Sequence, residues 1–276
     1  GVVINSEPAW AVPPHMQKEF PEVESAVRIY ETSLLVHRSG ERYNERNGLA
    51  VDPDFFKVFD FKLVSGDKEK VLTDPFSIVL SESMAKKFFK DQDPIGKSLD
   101  IEDYGFVGNV TGVMEDMPGN SHITADILFS LTTLFTENYS PKLNDNWEGY
   151  QPYAYVLLKP NVSPEVLATK FPDFLERNDG EAMKKLQAYV TLYLEPFKDV
   201  YLRSDRFRTI SGNNNNVYTL SIVGLFILLI ACINFINLTT ARSMERAKEV
   251  GIRKVIGAEK RLLGLQFIGE STIICL

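Results

Sequence analysis

The sequence predicts an α+β soluble domain followed by transmembrane α-helices, together a piece of a multi-pass membrane protein. Three observations lead there. Residues 217–240 run for 24 positions without a charge, and 17 of them are apolar. The formal charge of −7 over 276 residues divides unevenly, with 241–276 at +3 and 1–216 at −10. Upstream of the uncharged run, short β-branched stretches alternate with stretches of helical periodicity, over a length that can bury a core.

In chain order, "SAVRIYETSLLV" (Ser25 to Val36) and "FSIVLS" (Phe76 to Ser81) carry the β-branched and apolar residues of strands. "DPDFFKVFDF" opens on Asp-Pro, a helix-start signal. Ser81 is placed to cap "ESMAKKFFK", with Met84, Ala85, Phe88 and Phe89 turned inward. "KSLDIEDYGFVGNVTGVMEDMPG" reads as strand, turn, strand, turn, and "YAYVLLKP" as a further strand. "SPEVLATKFPDFLERND" is a capped helix with a break or kink at Pro172, and "VTLYLEPF" is expected to close the domain as a strand. The charged faces suggest that this α+β domain is open, and it shows no repeat of fixed period.

"SGNNNN" (Ser211 to Asn216) is a polar linker. The uncharged run follows. At about 1.5 Å per residue it reaches roughly 36 Å, enough to cross a hydrocarbon layer of about 30 Å with some tilt. Arg242, Arg246, Lys248, Arg253, Lys254, Lys260 and Arg261 all lie close behind it, and the positive-inside rule puts that end in the cytoplasm. Residues 1–216 then lie outside. Asn234 and Asn237 near the inner end serve either as interfacial positioning or as an inter-helix hydrogen bond. The expected division is therefore 1–210 extracytoplasmic domain, 211–216 linker, 217–240 membrane helix, 241–261 cytoplasmic loop or helix, and 262–276 the start of the next membrane helix. The chain opens on Gly1 and ends in "FIGESTIICL", inside a new apolar run, so further segments are expected at both ends.

The segment "ARSMERAKEVGIRKVIGA" keeps helical order beyond the membrane run. Met244, Ala247, Gly251 and Val255 recur at spacings of three and four, Glu249 and Arg253 form a favourable one-turn pair, and Gly257-Ala258 reads as a stop. A short charged helix between two membrane helices is too small to be an enzyme. It is a topology signal, an amphipathic helix on anionic lipid, or a docking surface. Gly251 in mid-helix costs about 1 kcal/mol, which favours a close contact with another backbone.

"FILLIACINFINLTTARSMERAKEVGIRKVIGAEKRLLGLQFIGES" resembles the permease subunits of the MacB/FtsX-like family of ABC transporters. The matching positions are Lys248, Glu249, Val250, Gly251, Ile252, Arg253, Gly257, Ala258 and Glu270. Upstream, "VLSESMAKKFFKDQDPIGKSLDI" and "VTGVMEDMPGNSH" are similar to the extracytoplasmic domain of the same family in its Bacteroidetes-type form. The resemblance implies a bacterial inner-membrane protein whose outer domain sits between its first and second membrane helices. It implies a cytoplasmic ABC ATPase docked on the loop after the second helix, with Arg242, Lys248, Glu249, Gly251, Arg253 and Lys254 as the contact. A second permease copy or half, membrane lipid and a periplasmic adaptor complete the implied partners. A regulatory relative controlling a cell-wall hydrolase or a peptide response has the same build.

A third class, a membrane-anchored enzyme, has little support in the residues. His15, His37 and His122 have no metal-ligand spacing. Ser81 and Ser83 near Lys86 and Lys87 mimic a Ser-Lys pair, but a capped strand-to-helix turn explains them. Cys232 and Cys275 both sit in apolar runs and form no disulfide framework. The chain has no G-x-x-x-x-G-K-[ST] phosphate loop, so no cofactor is expected here and ATP is left to the partner. The acidic outer domain lacks the basic footprint that nucleic acid requires.

Overall fold

The computed structural model describes residues 7–38, 40–203 and 214–257, with 261–262, 264–265 and 268–269. The chain separates into two compact units, 1–212 and 213–276.

The first unit is built on an eight-stranded mixed sheet. Its strands are β1 (Val23–Arg38), β2 (Glu41–Val51), β3 (Leu63–Ser65), β4 (Ser77–Ser81), β5 (Ser98–Ile101), β6 (Phe106–Met114), β7 (Ile127–Ser130) and β8 (Tyr153–Leu158). The order is β2-β7-β4-β6-β5-β1-β8, with β3 on β6 and a further pairing of β2 with β1. The hydrogen-bonded path therefore returns to β1, where the open sheet suggested by the charged faces would have had two free edges. The long β1 makes this possible. One end pairs with β8, from Val23 to Ile29, and the other pairs with both β2 and β5 around Val36. The β5–β6 hairpin turns at Gly105, whose φ of +64° suits a residue without Cβ.

Strand alternation divides the core between the two faces of this sheet. Leu34, Val36, Ala50, Ile78, Leu80, Leu99, Ile101, Ile127 and Phe129 point to one face. There α3 (Glu82–Phe89) packs Met84, Ala85, Phe88 and Phe89 against them. Val27, Ile29, Leu49, Val51, Val79 and Leu128 point to the other, covered by Phe55 and Phe56 of α2 (Phe55–Val58) and by Phe59, Val71 and Leu72. All five residues of β4 are buried because the strand lies between β6 and β7 with both faces covered. Burying each of these large side chains stabilises the fold by about 1.5–3 kcal/mol before entropy is counted. A third cluster forms where α1 (Val12–Glu19), α4 (Pro164–Ala168) and α5 (Phe171–Leu186) meet Val23 and Ala26 of β1.

The Ser81 hydroxyl accepts from the Met84 N–H at 3.2 Å, which caps α3 as its position before the helix dictates. Ser163 caps α4 in the same way, at 3.3 Å from Val166. The "SPEVLATKFPDF" segment forms two helices, and Pro172 stands in the first turn of the second, where its missing N–H costs nothing. The expected strand at "VTLYLEPF" does not form. Val190, Leu192 and Leu194 do alternate inward onto the third cluster, but no neighbouring strand offers a ladder to residues 191–196. The period of two survives through side-chain docking alone. The sequence does not announce α1, β2, β3, β7 or α6 (Phe197–Arg203). β2 is polar along its first half, and β7 is too short to show a period.

In the second unit, α7 runs from Asn214 to Val255, 42 residues without a break. It stops where Gly257 takes a φ of +93°. A backbone bond from Ile256 N–H to the Ile252 carbonyl closes its last turn at 3.2 Å.

Candidate coupling segment and the domain before it

α7 has two parts. Asn215–Ala241 is 27 residues long, and its most apolar 18-residue stretch has a mean hydropathy of 2.6 and is nowhere buried in this chain. That distinguishes it from the core helix of a soluble protein, which is apolar because it is covered. Its place after more than 200 residues distinguishes it from a secretory signal. The hydroxyls of Thr219, Thr239 and Thr240 donate back to the carbonyls of Asn215, Phe235 and Ile236 at 2.7–2.8 Å, so each is satisfied within the helix. Beyond Ala241 the helix continues for 14 residues to Val255, about 21 Å at 1.5 Å per residue.

All eight residues singled out from the sequence lie on this one helix. Asn234 and Asn237 are exposed, one turn apart, and neither makes a side-chain hydrogen bond among the described residues. Gly251 is exposed, and a Cβ placed on it would meet no atom within 4 Å. Of Arg242, Lys248, Glu249, Arg253 and Lys254 the backbone is helical, while the side chains, and with them the Glu249–Arg253 pair, lie outside the described residues. Cys232 is exposed on the apolar part of the helix, and Cys275 lies outside the described residues.

The polar groups of the outer domain serve its architecture. Arg28 is buried on β1. Its guanidinium donates to both oxygens of Asp52 at 2.8 Å, to the Trp10 carbonyl at 3.0 Å and to Asn144 Oδ1 at 2.8 Å. It also lies 5.1 Å from the Phe135 ring centre. One side chain thus ties β1 to the end of β2 and to two loops. A signal was present: Arg28 occupies the same strand face as Tyr30, Leu34 and Val36, an inward register position for a charge.

The Ser-Lys resemblance dissolves. Ser81 is a cap, Ser83 is bonded to Asp116, and Lys87 pairs with Glu45 at 2.6 Å. The hydrogen bond from Ser83 holds the Asp116 carboxyl below its ordinary pKa. His15 lies 3.1 Å from Asp145, and His37 lies 3.5 Å from Asp100. His122 lies under α6 (Phe197–Arg203), with its ring 5.0 Å from Phe197 and its Nε2 3.4 Å from the Tyr155 hydroxyl. Burial pushes the His122 pKa down and the Tyr155 pKa up. No group of three or more potential metal ligands occurs among the described residues.

A folded α+β domain followed, among the described residues, by one uncovered helix long and apolar enough to cross a membrane is the build of a membrane protein that carries a domain outside the bilayer. Residues 4–173, more than half of the chain, match the MacB-like periplasmic core domain, and residues 221–276 match the FtsX-like permease C-terminal region. The chain belongs to the MacB/FtsX-like permease family. It is similar to the macrolide export ATP-binding/permease protein MacB of Haemophilus ducreyi, 27% identical over 89% of this chain and 33% of that protein. It is likewise similar to the protein of that name from Neisseria meningitidis serogroup A, 26% identical over 82% and 32%. A solved domain from a Porphyromonas gingivalis protein described as a permease is 30% identical, covers 63% of this chain and 78% of its own, and superposes with a TM-score of 0.53. The chain spans about a third of the length of the curated relatives it matches.

Proposed function

We propose that this chain is the permease part of an ABC-type system in the bacterial inner membrane. It turns ATP-driven motion of a cytoplasmic ATPase into movement of the outer domain, which handles a substrate outside the bilayer. The observation that carries this reading is the joint match of a periplasmic core domain before the uncovered apolar helix and of an FtsX-like region that begins within that helix and runs beyond it. On this reading residues 1–210 are extracytoplasmic, 211–216 link, 217–240 cross the membrane, 241–261 couple, and 262–276 begin the next crossing. A second permease copy or half and a periplasmic adaptor complete the assembly. ATP binds to nucleotide-binding machinery outside these residues. The relatives' names join ATP-binding and permease roles in one protein.

The coupling contact is assigned to Arg242, Lys248, Glu249, Gly251, Arg253 and Lys254. Open space around Gly251 supports this, because among the described residues the helical glycine has no packing reason. Replacing it by Leu raises intrinsic helix stability by several tenths of a kcal/mol, so a melted helix would not account for lost coupling. With Gly251→Leu and with Glu249→Lys at matched expression, we expect normal membrane insertion and loss of the co-purifying ATPase. Wild-type recovery of the ATPase with both variants, and full coupled hydrolysis, would reduce the segment to a topology signal.

A further inference from the structure

Asn234 and Asn237 carry side chains that their own helix cannot satisfy. The threonines nearby donate back to carbonyls one turn earlier, Thr239 to Phe235 and Thr240 to Ile236, both at 2.7 Å. An asparagine amide has two donors and an acceptor to place. Among the described residues neither Asn234 nor Asn237 makes a side-chain hydrogen bond. Their depth makes this costly. At about 1.5 Å per residue, Asn234 lies roughly 10 Å and Asn237 roughly 6 Å inside the end of the apolar run at Ala241. Lipid tails offer no hydrogen bond at that level.

The two amides also share a face. α7 is unbroken from Asn214 to Val255, so residues at alternating spacings of four and three stand one above another. Val223, Ile227, Ile230, Asn234, Asn237 and Ala241 form such a row, and all six are exposed. The row has the repeat of a coiled-coil seam. Its apolar positions before Asn234 are β-branched, and asparagine at a core position is the choice that sets register and partner number at a cost in stability. The opposite face, at Leu225, Leu228 and Cys232, carries no amide. The occupant follows from self-complementarity. A second copy inserts in the same orientation, so it brings an identical row and identical amides to the same depth. Across a two-fold axis each amide both donates to its counterpart and accepts from it, while the β-branched residues pack against their own kind. A different helix would have to supply its own polar group at the matching level.

We infer that α7 pairs with α7 of a second copy of this chain along this row, with Asn234 and Asn237 hydrogen-bonded to their counterparts within the membrane. The pairing rests on the reading that the assembly holds a second permease copy, and the experiment separates the two. The full-length protein, with Cys232→Ser and Cys275→Ser and no cysteine elsewhere, is oxidised in inner-membrane vesicles with copper phenanthroline. Single cysteines are placed on the row by Ile227→Cys, Ile230→Cys and Ala241→Cys, which leave both asparagines in place. Leu225→Cys, Leu228→Cys and native Cys232 report on the opposite face. Co-purification of two differently tagged copies is measured in parallel. We expect disulfide-linked dimer at 227, 230 and 241 about five-fold or more above that at 225, 228 and 232, as a seam on one helix face requires. With Asn234→Ala and Asn237→Ala added, linked dimer at 230 should fall by about three- to thirty-fold, the weakening expected for a lost inter-helix amide pair. Tagged copies that co-purify while the two faces link equally, or not at all, overturn the pairing and leave the second copy standing. Links on the row that persist at full yield without the asparagines assign the contact to apolar packing and also overturn it. Tagged copies that do not co-purify remove the second-copy reading and the pairing together.

Discussion

The outer domain and the long helix use the same side chains in opposite ways. Phe55, Phe129, Phe174, Ile78 and Leu80 in the first are fully buried by their own chain. Leu225, Phe226, Ile227, Leu228, Leu229 and Ile230 in the second are all about half or more exposed. The difference is one of solvent. The domain satisfies its apolar groups by closing a sheet and covering both faces. The helix satisfies its backbone internally and leaves its side chains to an apolar medium that the chain does not supply. The two regions should therefore fail under different substitutions, and each substitution should leave the other region intact.

The largest effect is expected in the domain. Arg28→Ala leaves Asp52 as a buried carboxylate without its partner and frees the Trp10 carbonyl and Asn144. Breaking a buried, hydrogen-bonded ion pair from one side costs about 3–5 kcal/mol. In residues 1–210 expressed alone, urea unfolding should show that loss, while membrane insertion of the full protein stays at wild-type level. Arg28→Met with Asp52→Leu should recover part of it, because no charge is then left behind. A loss under about 1 kcal/mol would mean that the pair is not the tie between β1 and β2 that its geometry describes.

Next in size is the reverse case. Leu228 stands midway along Asn215–Ala241. Leu228→Arg should raise the cost of insertion by about 2.5–3.5 kcal/mol, the usual figure for a cation at a helix centre. The unfolding midpoint of the outer domain should not move. Insertion measured by glycosylation mapping or alkali extraction decides the matter. Normal insertion of the variant would show that the run does not cross the bilayer at that depth, and the contrast between the regions would collapse.

The two regions also differ in how much of them could be read beforehand. α7 was legible almost whole, since an uncharged run, a basic flank and Gly257 are local signals. In the domain, Ser81 and Ser163 were legible as caps because a cap acts on a backbone N–H three residues away. The closure of the sheet was not legible. It depends on β1 reaching β5 and β8 at its two ends, pairings across 63 and more residues that no window of sequence contains. β2 escaped notice because Glu41, Arg42, Asn44 and Arg46 suit its solvent-facing half and hide the buried Leu49, Ala50 and Val51. At the segment proposed to couple, the sequence supplied the residue types and the structure their common helix, while the proposed partner that would give them a face lies outside the described residues.

The smallest effect sharpens the comparison at the place where the domain ends. α6 is the last described element before α7, and Phe197 docks it among Phe59, Tyr155 and His122, with ring centres 5.0–5.9 Å away. Burial holds the His122 pKa below the ordinary histidine value of 6.5. The unfolded chain therefore takes up the proton first as pH falls, and between the two pKa values the unfolded state binds more protons than the folded one. Stability then rises with pH across that window. It should be level with respect to this group above about 7, and it should decline from near 6.5 down to the folded pKa. The carboxylates Glu19, Glu22, Asp67 and Asp116 have lowered pKa values and act in a separate window. Their contribution is present above the ordinary carboxylate pKa and fades only below about 4. The measurement is urea unfolding of residues 1–210 at intervals from pH 8 to 5, for wild type and His122→Gln. The difference between the two curves isolates His122 from His15 and His37. It should grow as pH falls below 6.5, with the variant losing less stability than wild type. Parallel curves throughout would mean that the imidazole accepts its proton in the folded domain as readily as in water, and that α6 is not packed over it as the ring contacts describe.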